Sequence, residues 1–210
     1  CRKWGDHHGV HLILDEVMTG FGRTGKMFAC QHEDVIPDYL CLAKGLSGGY
    51  MPLAATMVRG EIYNAFLGDA DKAFYYGHSY TANQLGCAAG LASLEVFEQE
   101  QTLEHLPEKI ECLATQLKEL ANEELLVYEV RQCGLIAGIE LRRGDGQIFD
   151  RSHRVGEKVA VMARDYQVLT RPIADTLVVM PPLSISLDEI KLLCRGLGSA
   201  VRNYRVTCKI

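Results

Sequence analysis

The amino-acid sequence predicts an α/β protein that carries a smaller α+β part after it. Two short apolar runs, residues 11–14 and 39–43, are typical of buried strands, and each is followed by an ionisable side chain and a glycine-containing loop. Helical periodicity follows at residues 83–98, and the composition changes beyond that point. We therefore predict two domains, residues 1–98 and residues 99–210.

The first predicted domain contains three strands and two helices. The strands are residues 11–14, 39–43 and 53–58, and the helices are residues 61–67 and 83–98. The strands are assigned from short apolar and β-branched runs, and the longer helix from apolar residues that recur at helical spacing. The predicted sheet is parallel, with its ligand-binding edge at the carboxyl ends of the strands.

The second predicted domain alternates helices with pairs of strands. Pro107 is placed at the first position of a helix that continues with an apolar stripe through residues 110–121. The remaining predicted elements are strands at 125–130 and 135–141, a helix at 152–166, strands at 168–170 and 177–180, and a last helix to about residue 204. Ser186 and Glu189 have the spacing of a capping box, which marks the start of that last helix.

Composition excludes several classes of protein. The chain has 210 residues, 48% hydrophobic content and a net charge of −5, with both signs of charge mixed throughout. Because no basic tract is present, nucleic acid is not an expected partner. Because no apolar run approaches the ~20 residues that span a bilayer, a membrane is not an expected partner either.

The cysteine and histidine patterns predict neither disulfides nor a metal site. None of the eight cysteines belongs to a CxxC pair and most lie in apolar segments, so we predict buried free thiols and a cytoplasmic protein. His7, His8 and His11 are close together in the sequence. No cysteine or carboxylate at ligand spacing completes a tetrahedral set with them, so no metal is predicted.

Asp15 and Lys44 are the most informative pair of residues. Each follows a predicted buried strand, and Lys44 lies 29 residues after Asp15 with glycines on its carboxyl side. A lysine amine can form a Schiff base with an aldehyde, and a carboxylate can pair with a protonated pyridine nitrogen. These are the two groups that pyridoxal 5'-phosphate (PLP) needs most. The alternatives are a surface lysine near a strand end and an aspartate that only caps the next turn.

A glycine-rich loop follows Asp15. Residues 20–25 (GFGRTG) lack the spacing of a dinucleotide-binding or Walker motif, so the sequence does not predict a nucleotide site there. The glycines are interpreted as shaping a tight loop beside the site. Arg23 is either structural or in contact with a substrate or a nearby carboxylate, and the sequence leaves both open.

Two further segments carry groups suited to anions. Residues 78–81 (HSYT) precede the predicted helix at 83–98, where hydroxyls and free backbone amides suit a phosphate. The alternative is that Ser79 or Thr81 merely caps that helix. Arg171, stiffened by Pro172, has the geometry to bind a carboxylate, and the alternative is an exposed structural arginine.

Taken together, these segments resemble the class III (subgroup II) PLP-dependent aminotransferases. The signature in order and spacing is residues 14–25 (LDEVMTGFGRTG), then Pro37 and Asp38, then residues 44–49 (KGLSGG). The resemblance implies fold type I, with residues 1–98 forming the last part of the PLP-binding large domain and residues 99–210 the small C-terminal domain. It also implies a homodimer with active sites at the subunit interface.

Residues 28–30 and 75–88 are most similar to the branch of the family that serves biotin biosynthesis. That branch transfers an amino group to 8-amino-7-oxononanoate, giving 7,8-diaminononanoate, and its donor is usually S-adenosylmethionine, with lysine in some members. Two alternatives stay open at this point. One is another class III enzyme, such as an ω-amino acid aminotransferase, and the other is an inactive fragment that does not bind PLP.

The resemblance assigns a role to each candidate residue. Lys44 carries the Schiff base with PLP and Asp15 pairs with the pyridine nitrogen. By the same resemblance, His78 and Ser79 contact the PLP phosphate that is bound in the neighbouring subunit. Gly77 and Arg171 are assigned to the keto-acid substrate, with Arg171 on its carboxylate.

The sequence departs from the family pattern in two respects. Ala82 stands where relatives usually have glycine, which puts an extra methyl group in the turn before Asn83. The resemblance also covers only about the second half of the family's length, so we expect a C-terminal fragment of such an enzyme. A fragment of this kind is expected to leave apolar surface exposed.

Overall fold

The computed structural model describes residues 1–208, and the chain divides into two compact units, Cys1–Leu103 and Glu104–Ile210. The boundary that the sequence predicts, near residue 98, falls inside the first unit. The assignment of the two parts to a large and a small domain stays a prediction.

The first unit is built on a small mixed sheet. Its elements are α1 (Arg2–His8), β1 (Ile13–Asp15), β2 (Tyr39–Leu42), β3 (Ala55–Val58), α2 (Gly60–Ala65) and α3 (Gln84–Gln99). The strand order is β1-β2-β3. The sequence predicts every one of these elements except α1, with ends that differ by up to two residues.

The sheet is parallel only in its first pair. β1 and β2 run parallel, as predicted, and Asp15 lies opposite Cys41, whereas β3 runs antiparallel to β2. The prediction of a parallel sheet is therefore wrong for β3. The connection, residues 43–54, has the 3-10 turn Lys44–Ser47 as its helical part, whereas a parallel neighbour usually needs an α-helix as its crossover.

An ion cluster around the buried carboxylate of Asp38 fixes the amino end of the parallel pair. The Asp38 carboxylate accepts hydrogen bonds from the Leu12 amide at 2.6 Å, from Arg2 at 2.5 Å and from Arg59 at 3.2 Å. These donors, Arg2 foremost, hold the pKa of the Asp38 carboxyl well below its ordinary value. Because the cluster joins the segments before β1 and β2, it fixes where both strands begin.

The second unit is an antiparallel sheet packed with helices. Its elements are α4 (Thr102–Glu123), which begins just before the unit boundary, β4 (Val127–Cys133), β5 (Ile136–Leu141), α5 (Val155–Ala163), β6 (Arg171–Ile173), β7 (Thr176–Val179) and α6 (Leu187–Cys208). The strand order is β4-β5-β7-β6 and every neighbouring pair is antiparallel. Leucines of α4 and small and apolar residues of α6 are fully buried, so the core of this unit lies on those helices.

Two sequence predictions in this unit are wrong. Pro107 lies inside α4 rather than at its first position, because Leu106 is fully buried and the helix already begins at Thr102. Residues 168–170 do not form a strand, because the Val168 amide donates to the Ala163 carbonyl and so completes the end of α5. The strand begins instead at Arg171, opposite Val178.

The predicted helix at 152–166 is present in three pieces. α5 forms its centre, and 3-10 turns at Arg151–His153 and Arg164–Tyr166 flank it. The predicted capping box is confirmed: the Ser186 amide donates to the Glu189 carboxylate at 2.8 Å, and the Glu189 amide donates to Ser186 Oγ at 3.2 Å.

The cysteines are free but mostly not buried. Among the eight, Cys194 is buried, while Cys1, Cys87, Cys133 and Cys208 are exposed. The prediction of buried thiols is therefore wrong for most of them. Burial raises the pKa of the Cys194 thiol to about 12.

The helices within residues 1–208 include none with the length and apolar character that crossing a membrane requires.

Candidate active site

The structure brings Asp15 and Lys44 to the same edge of the sheet. Asp15 is the last residue of β1 and lies opposite Cys41 of the parallel strand β2. Lys44 follows the end of β2 after a single residue. Both side chains are exposed, so a ligand at the carboxyl edge of these strands can reach both of them.

Asp15 is held in a defined orientation. Its Oδ1 accepts a hydrogen bond from the Val17 amide at 3.0 Å, so the turn-capping alternative is present in the structure. The Glu16 amide donates to the Cys41 carbonyl at 3.0 Å and extends the pairing of the two strands past Asp15. Within the described part of the chain, Oδ2 of Asp15 has no hydrogen-bond partner, so this oxygen is left to pair with a ligand.

The backbone of Lys44 adopts an unusual conformation. Its φ is +45°, in the left-handed region that costs a residue with a side chain about 1–3 kcal/mol. Such conformations occur preferentially at functional sites, where the surrounding packing enforces them. Lys44 opens the 3-10 turn Lys44–Ser47, and no ion pair of its amine is found among residues 1–208.

The residue after Lys44, Gly45, is packed closely against the glycine-rich loop. A Cβ placed on Gly45 would lie 2.7 Å from the Cβ of Phe21, which is closer than real Cβ atoms approach. Phe21 is buried and also contacts the rings of Phe28 and Phe97. The glycine-rich loop therefore presses directly on the backbone beside Lys44, and only glycine fits there.

Glu16 is a residue of this site region that the sequence analysis did not single out. It is 3% exposed, and its carboxylate accepts hydrogen bonds from Thr19 Oγ1 at 2.8 Å and from the Ala29 and Cys30 amides at 2.7 Å each. Burial acts to raise the pKa of Glu16, but these donors outweigh it and lower the pKa. Its only sequence signal was its place next to Asp15 within the motif.

Arg23 lies in the same loop and is half-buried. Burial lowers the pKa of its guanidinium. This partial burial favours the structural interpretation of Arg23.

Gly77, His78 and Ser79 lie in an exposed turn before α3. The His78 amide donates to Thr81 Oγ1 at 3.0 Å, and the Tyr80 amide donates to His78 Nδ1 at 3.2 Å. Because Nδ1 accepts a hydrogen bond, the neutral imidazole of His78 carries its proton on Nε2 and can donate it outward.

The helix cap in this region differs from the alternative that the sequence left open. Asn83 is the N-cap of α3, and its Oδ1 accepts from the Gly86 amide at 2.7 Å. Neither Ser79 nor Thr81 caps the helix, so that alternative is wrong. The Ser79 hydroxyl is thereby left available for another partner.

Arg171 is the first residue of β6 in the second unit. Its side chain is exposed, and within residues 1–208 it forms no ion pair. Pro172 follows it and pairs with Leu177 of β7, which fixes the strand on which Arg171 is carried.

Comparison with known proteins shows the class of protein to which this fold belongs. The sequence pattern of the family described as aminotransferase class-III matches residues 1–201, and this chain belongs to that family. The prediction of fold type I is likewise confirmed by the solved structures that the chain resembles.

Two similar relatives carry the same enzyme name. The chain is 49% identical over 204 residues to the adenosylmethionine-8-amino-7-oxononanoate aminotransferase of Nitratidesulfovibrio vulgaris, covering 95% of this chain and 38% of that protein. It is 43% identical to the solved structure of the enzyme of the same name from Methanocaldococcus jannaschii, with a TM-score of 0.91, covering 96% of this chain and 48% of that one.

A third relative is a PLP-bound amine transaminase from an uncultivated Pseudomonas species. It is 35% identical with a TM-score of 0.89, over 96% of this chain and 46% of that one. The chain thus spans about half or less of the length of each of these relatives.

Proposed function

We propose that this chain carries part of the active site of a PLP-dependent aminotransferase of biotin biosynthesis. The proposed reaction transfers an amino group to 8-amino-7-oxononanoate and gives 7,8-diaminononanoate. The observation that carries the proposal is the placement of Asp15 and Lys44 at one edge of two adjacent parallel strands. The identity of 49% to a relative named for this reaction supports the choice of substrate.

The residues at this edge fit PLP. The exposed carboxylate of Asp15 has an oxygen without a partner in the described residues, and the exposed amine of Lys44 forms no ion pair there. When bound, PLP supplies an aldehyde that exchanges amino groups and a ring that withdraws electrons. A lysine and a carboxylate are the protein groups that this chemistry requires.

Each residue then has a defined task. Lys44 Nζ would hold PLP through its aldehyde group and would move a proton at the substrate carbon that takes part in the amino transfer. The Asp15 carboxylate keeps a proton on the pyridine nitrogen. His78, through Nε2, and Ser79, through Oγ, bind the phosphate.

The substrate contacts fall on two other residues. Arg171 binds the carboxylate of the keto acid, for which its planar guanidinium provides two parallel donors. Gly77 lies beside the substrate, where the absence of a side chain leaves room.

The assembly and location belong to the same proposal. A homodimer supplies His78 and Ser79 to the site of the neighbouring subunit, and the amino donor is S-adenosylmethionine. The eight free thiols suit the reducing cytoplasm.

The first test is covalent attachment of PLP. We expect the purified chain, mixed with PLP and reduced with borohydride, to carry the cofactor mass on the peptide that contains Lys44. The Lys44→Ala variant must lose this label, and the exposed Lys72→Ala variant must keep it. No label on the chain, or an equal label on Lys44→Ala, would contradict the proposed cofactor role.

A substrate panel tests the reaction. Turnover of 8-amino-7-oxononanoate with S-adenosylmethionine supports the proposal, and turnover with lysine as donor changes only the donor. Since amine transaminases share this fold at a similar TM-score, turnover of simple ω-amino acids without the oxononanoate would favour that second function.

A further inference from the structure

We propose that Glu16 is a positioning residue. It fixes the carboxyl end of β1, which carries Asp15, and the turn after β2, which carries Lys44, in one rigid arrangement. The inference deepens the proposed function, on which it rests for the roles of those two residues. Glu16 itself is buried, and it touches no ligand in this scheme. It acts through the loop that it holds.

The first step is the anchoring of Glu16 on the sheet. Its amide donates to the Cys41 carbonyl at 3.0 Å, so its backbone belongs to the edge shared by β1 and β2. Its carbonyl accepts from the Gly20 amide at 3.0 Å, which closes the first turn of the loop. The residue is therefore fixed at the position directly after Asp15.

The second step is the closure of the loop by its side chain. The carboxylate oxygens accept from Thr19 Oγ1 and from the amides of Ala29 and Cys30, at the start of the 3-10 turn Ala29–His32. Ala29 and Cys30, which lie 13 and 14 residues after Glu16, are thus held at the carboxyl end of β1. A buried carboxylate with three donors is a strong clamp, because each charge-assisted hydrogen bond is protected from water.

The third step is contact between the closed loop and the 3-10 turn Lys44–Ser47, here called the lysine turn. Phe21 lies within the clamped segment, and its amide donates to the Met27 carbonyl at 2.6 Å. Its side chain packs directly on Gly45, with no space for even a methyl group. The loop that Glu16 closes therefore bears on the residue next to Lys44, whose φ of +45° needs enforcement by packing.

The chain of contacts gives Glu16 two neighbours of functional importance. It is covalently bonded to Asp15, and it reaches Lys44 through Phe21 and Gly45. A residue that only supported the turn at Ala29–His32 would influence neither. This difference can be measured without any cofactor.

The test is hydrogen exchange of the cofactor-free chain, followed by mass spectrometry. Glu16→Gln replaces one carboxylate oxygen with an NH₂ group, which meets a donor and removes an acceptor. We expect exchange to accelerate about tenfold in residues 16–32 and also in residues 43–48. The exposed Glu33→Gln variant is the matched control and must behave as the wild type.

A second pair of variants isolates the route. Thr19→Val removes one of the three hydrogen bonds and must give the same pattern with a smaller effect, which keeps the test valid if Glu16→Gln fails to fold. In a Phe21→Leu background, Glu16→Gln must still accelerate hydrogen exchange in residues 28–32. It must cause no further acceleration of exchange in residues 43–48. Acceleration confined to residues 16–32 in the Phe21-containing chain would overturn the inference.

Failure of the inference about Glu16 can be distinguished from failure of the proposed function. If PLP attaches to the wild type, Glu16→Gln must slow labelling of Lys44, while Glu33→Gln must not. If PLP does not attach at all, the proposed function fails, and the exchange experiment still decides whether Glu16 is coupled to the lysine turn.

Discussion

At the scale of single residues, Lys44 shows how a reactive side chain is presented by strained backbone. The side chain is exposed, yet φ of Lys44 is positive and the next residue has no room for a Cβ. The sequence showed a lysine flanked by small residues, and it could not show that Phe21 packs on the residue next to that lysine. The contact joins residues that are far apart in the chain.

We predict that Gly45→Ala destabilises the first unit by about 1–3 kcal/mol, because overpacking against Phe21 must be relieved by backbone movement. Labelling of Lys44 by PLP is expected to weaken in the same variant. Chemical denaturation, monitored by hydrogen exchange of residues 43–48, measures the loss of stability. The control is Gly60→Ala, where no atom lies within 4 Å of the new methyl group. Equal stability of the two variants would contradict the prediction.

Asp38 gives a prediction about pH. Arg2, the Leu12 amide and Arg59 make its pKa lower in the folded chain than in the unfolded chain. The unfolded chain therefore takes up the proton first as pH falls, and stability is lost below the ordinary carboxyl pKa of about 3.9. Above that value the contribution of Asp38 is fully present.

The expected result is that Asp38→Asn lowers the melting temperature at neutral pH and flattens the fall of the melting temperature below about pH 4. Thermal unfolding at a series of pH values measures both effects. The exposed Asp69→Asn variant should retain the wild-type slope. An unchanged slope in Asp38→Asn would show that the cluster does not carry the acid sensitivity.

At the scale of elements, local signals succeeded where the deciding contacts are local. The capping box is confirmed because Ser186 and Glu189 bond to each other across three residues. The start of α4 was misplaced because it depends on Leu106, whose burial in the core outweighs the preference of Pro107 for the first turn. The strand predicted at 168–170 failed for a similar reason, since the Val168 amide is taken by the Ala163 carbonyl.

For α6 we expect Ser186→Ala to cost about 1 kcal/mol in the free energy of unfolding, because the helix loses a side-chain acceptor for its first amides. Urea denaturation monitored in the second unit is the measurement. Ser186→Thr keeps the hydroxyl and should restore most of the loss. An alanine variant as stable as the wild type would mean that Glu189 alone suffices to start the helix.

At the scale of the whole molecule, the two units differ in how much apolar surface they bury. Among the described residues, the buried apolar side chains of the first unit are Phe21 and Leu42, whereas those of the second unit run from Leu106 to Tyr204. Ile13 and Met57, on the sheet of the first unit, are 62% and 57% exposed. The exposed apolar surface expected from the sequence is therefore confirmed.

We predict that the first unit loses hydrogen-exchange protection at lower urea than the second, because burial of apolar area sets most of the stability of each. Exchange of β1–β3 compared with β4–β7 across a urea series gives the answer. Leu177 is fully buried in the second unit. Leu177→Ala should lower the free energy of unfolding of that unit alone, by about 2–5 kcal/mol. Coincident loss of protection in both units would contradict independent stability.

The family, most strands and helices, the parallel pairing of β1 and β2, the capping box and the positions of Asp15 and Lys44 after two strands can be predicted from residue order alone. These depend on residue spacing and on short-range hydrogen bonds, which a linear pattern contains. Only the folded chain shows that Asp15 lies opposite Cys41, that Glu16 holds Ala29 and that Phe21 packs on Gly45. Each of these contacts joins residues 13 or more apart, and only the path of the folded chain brings such residues together.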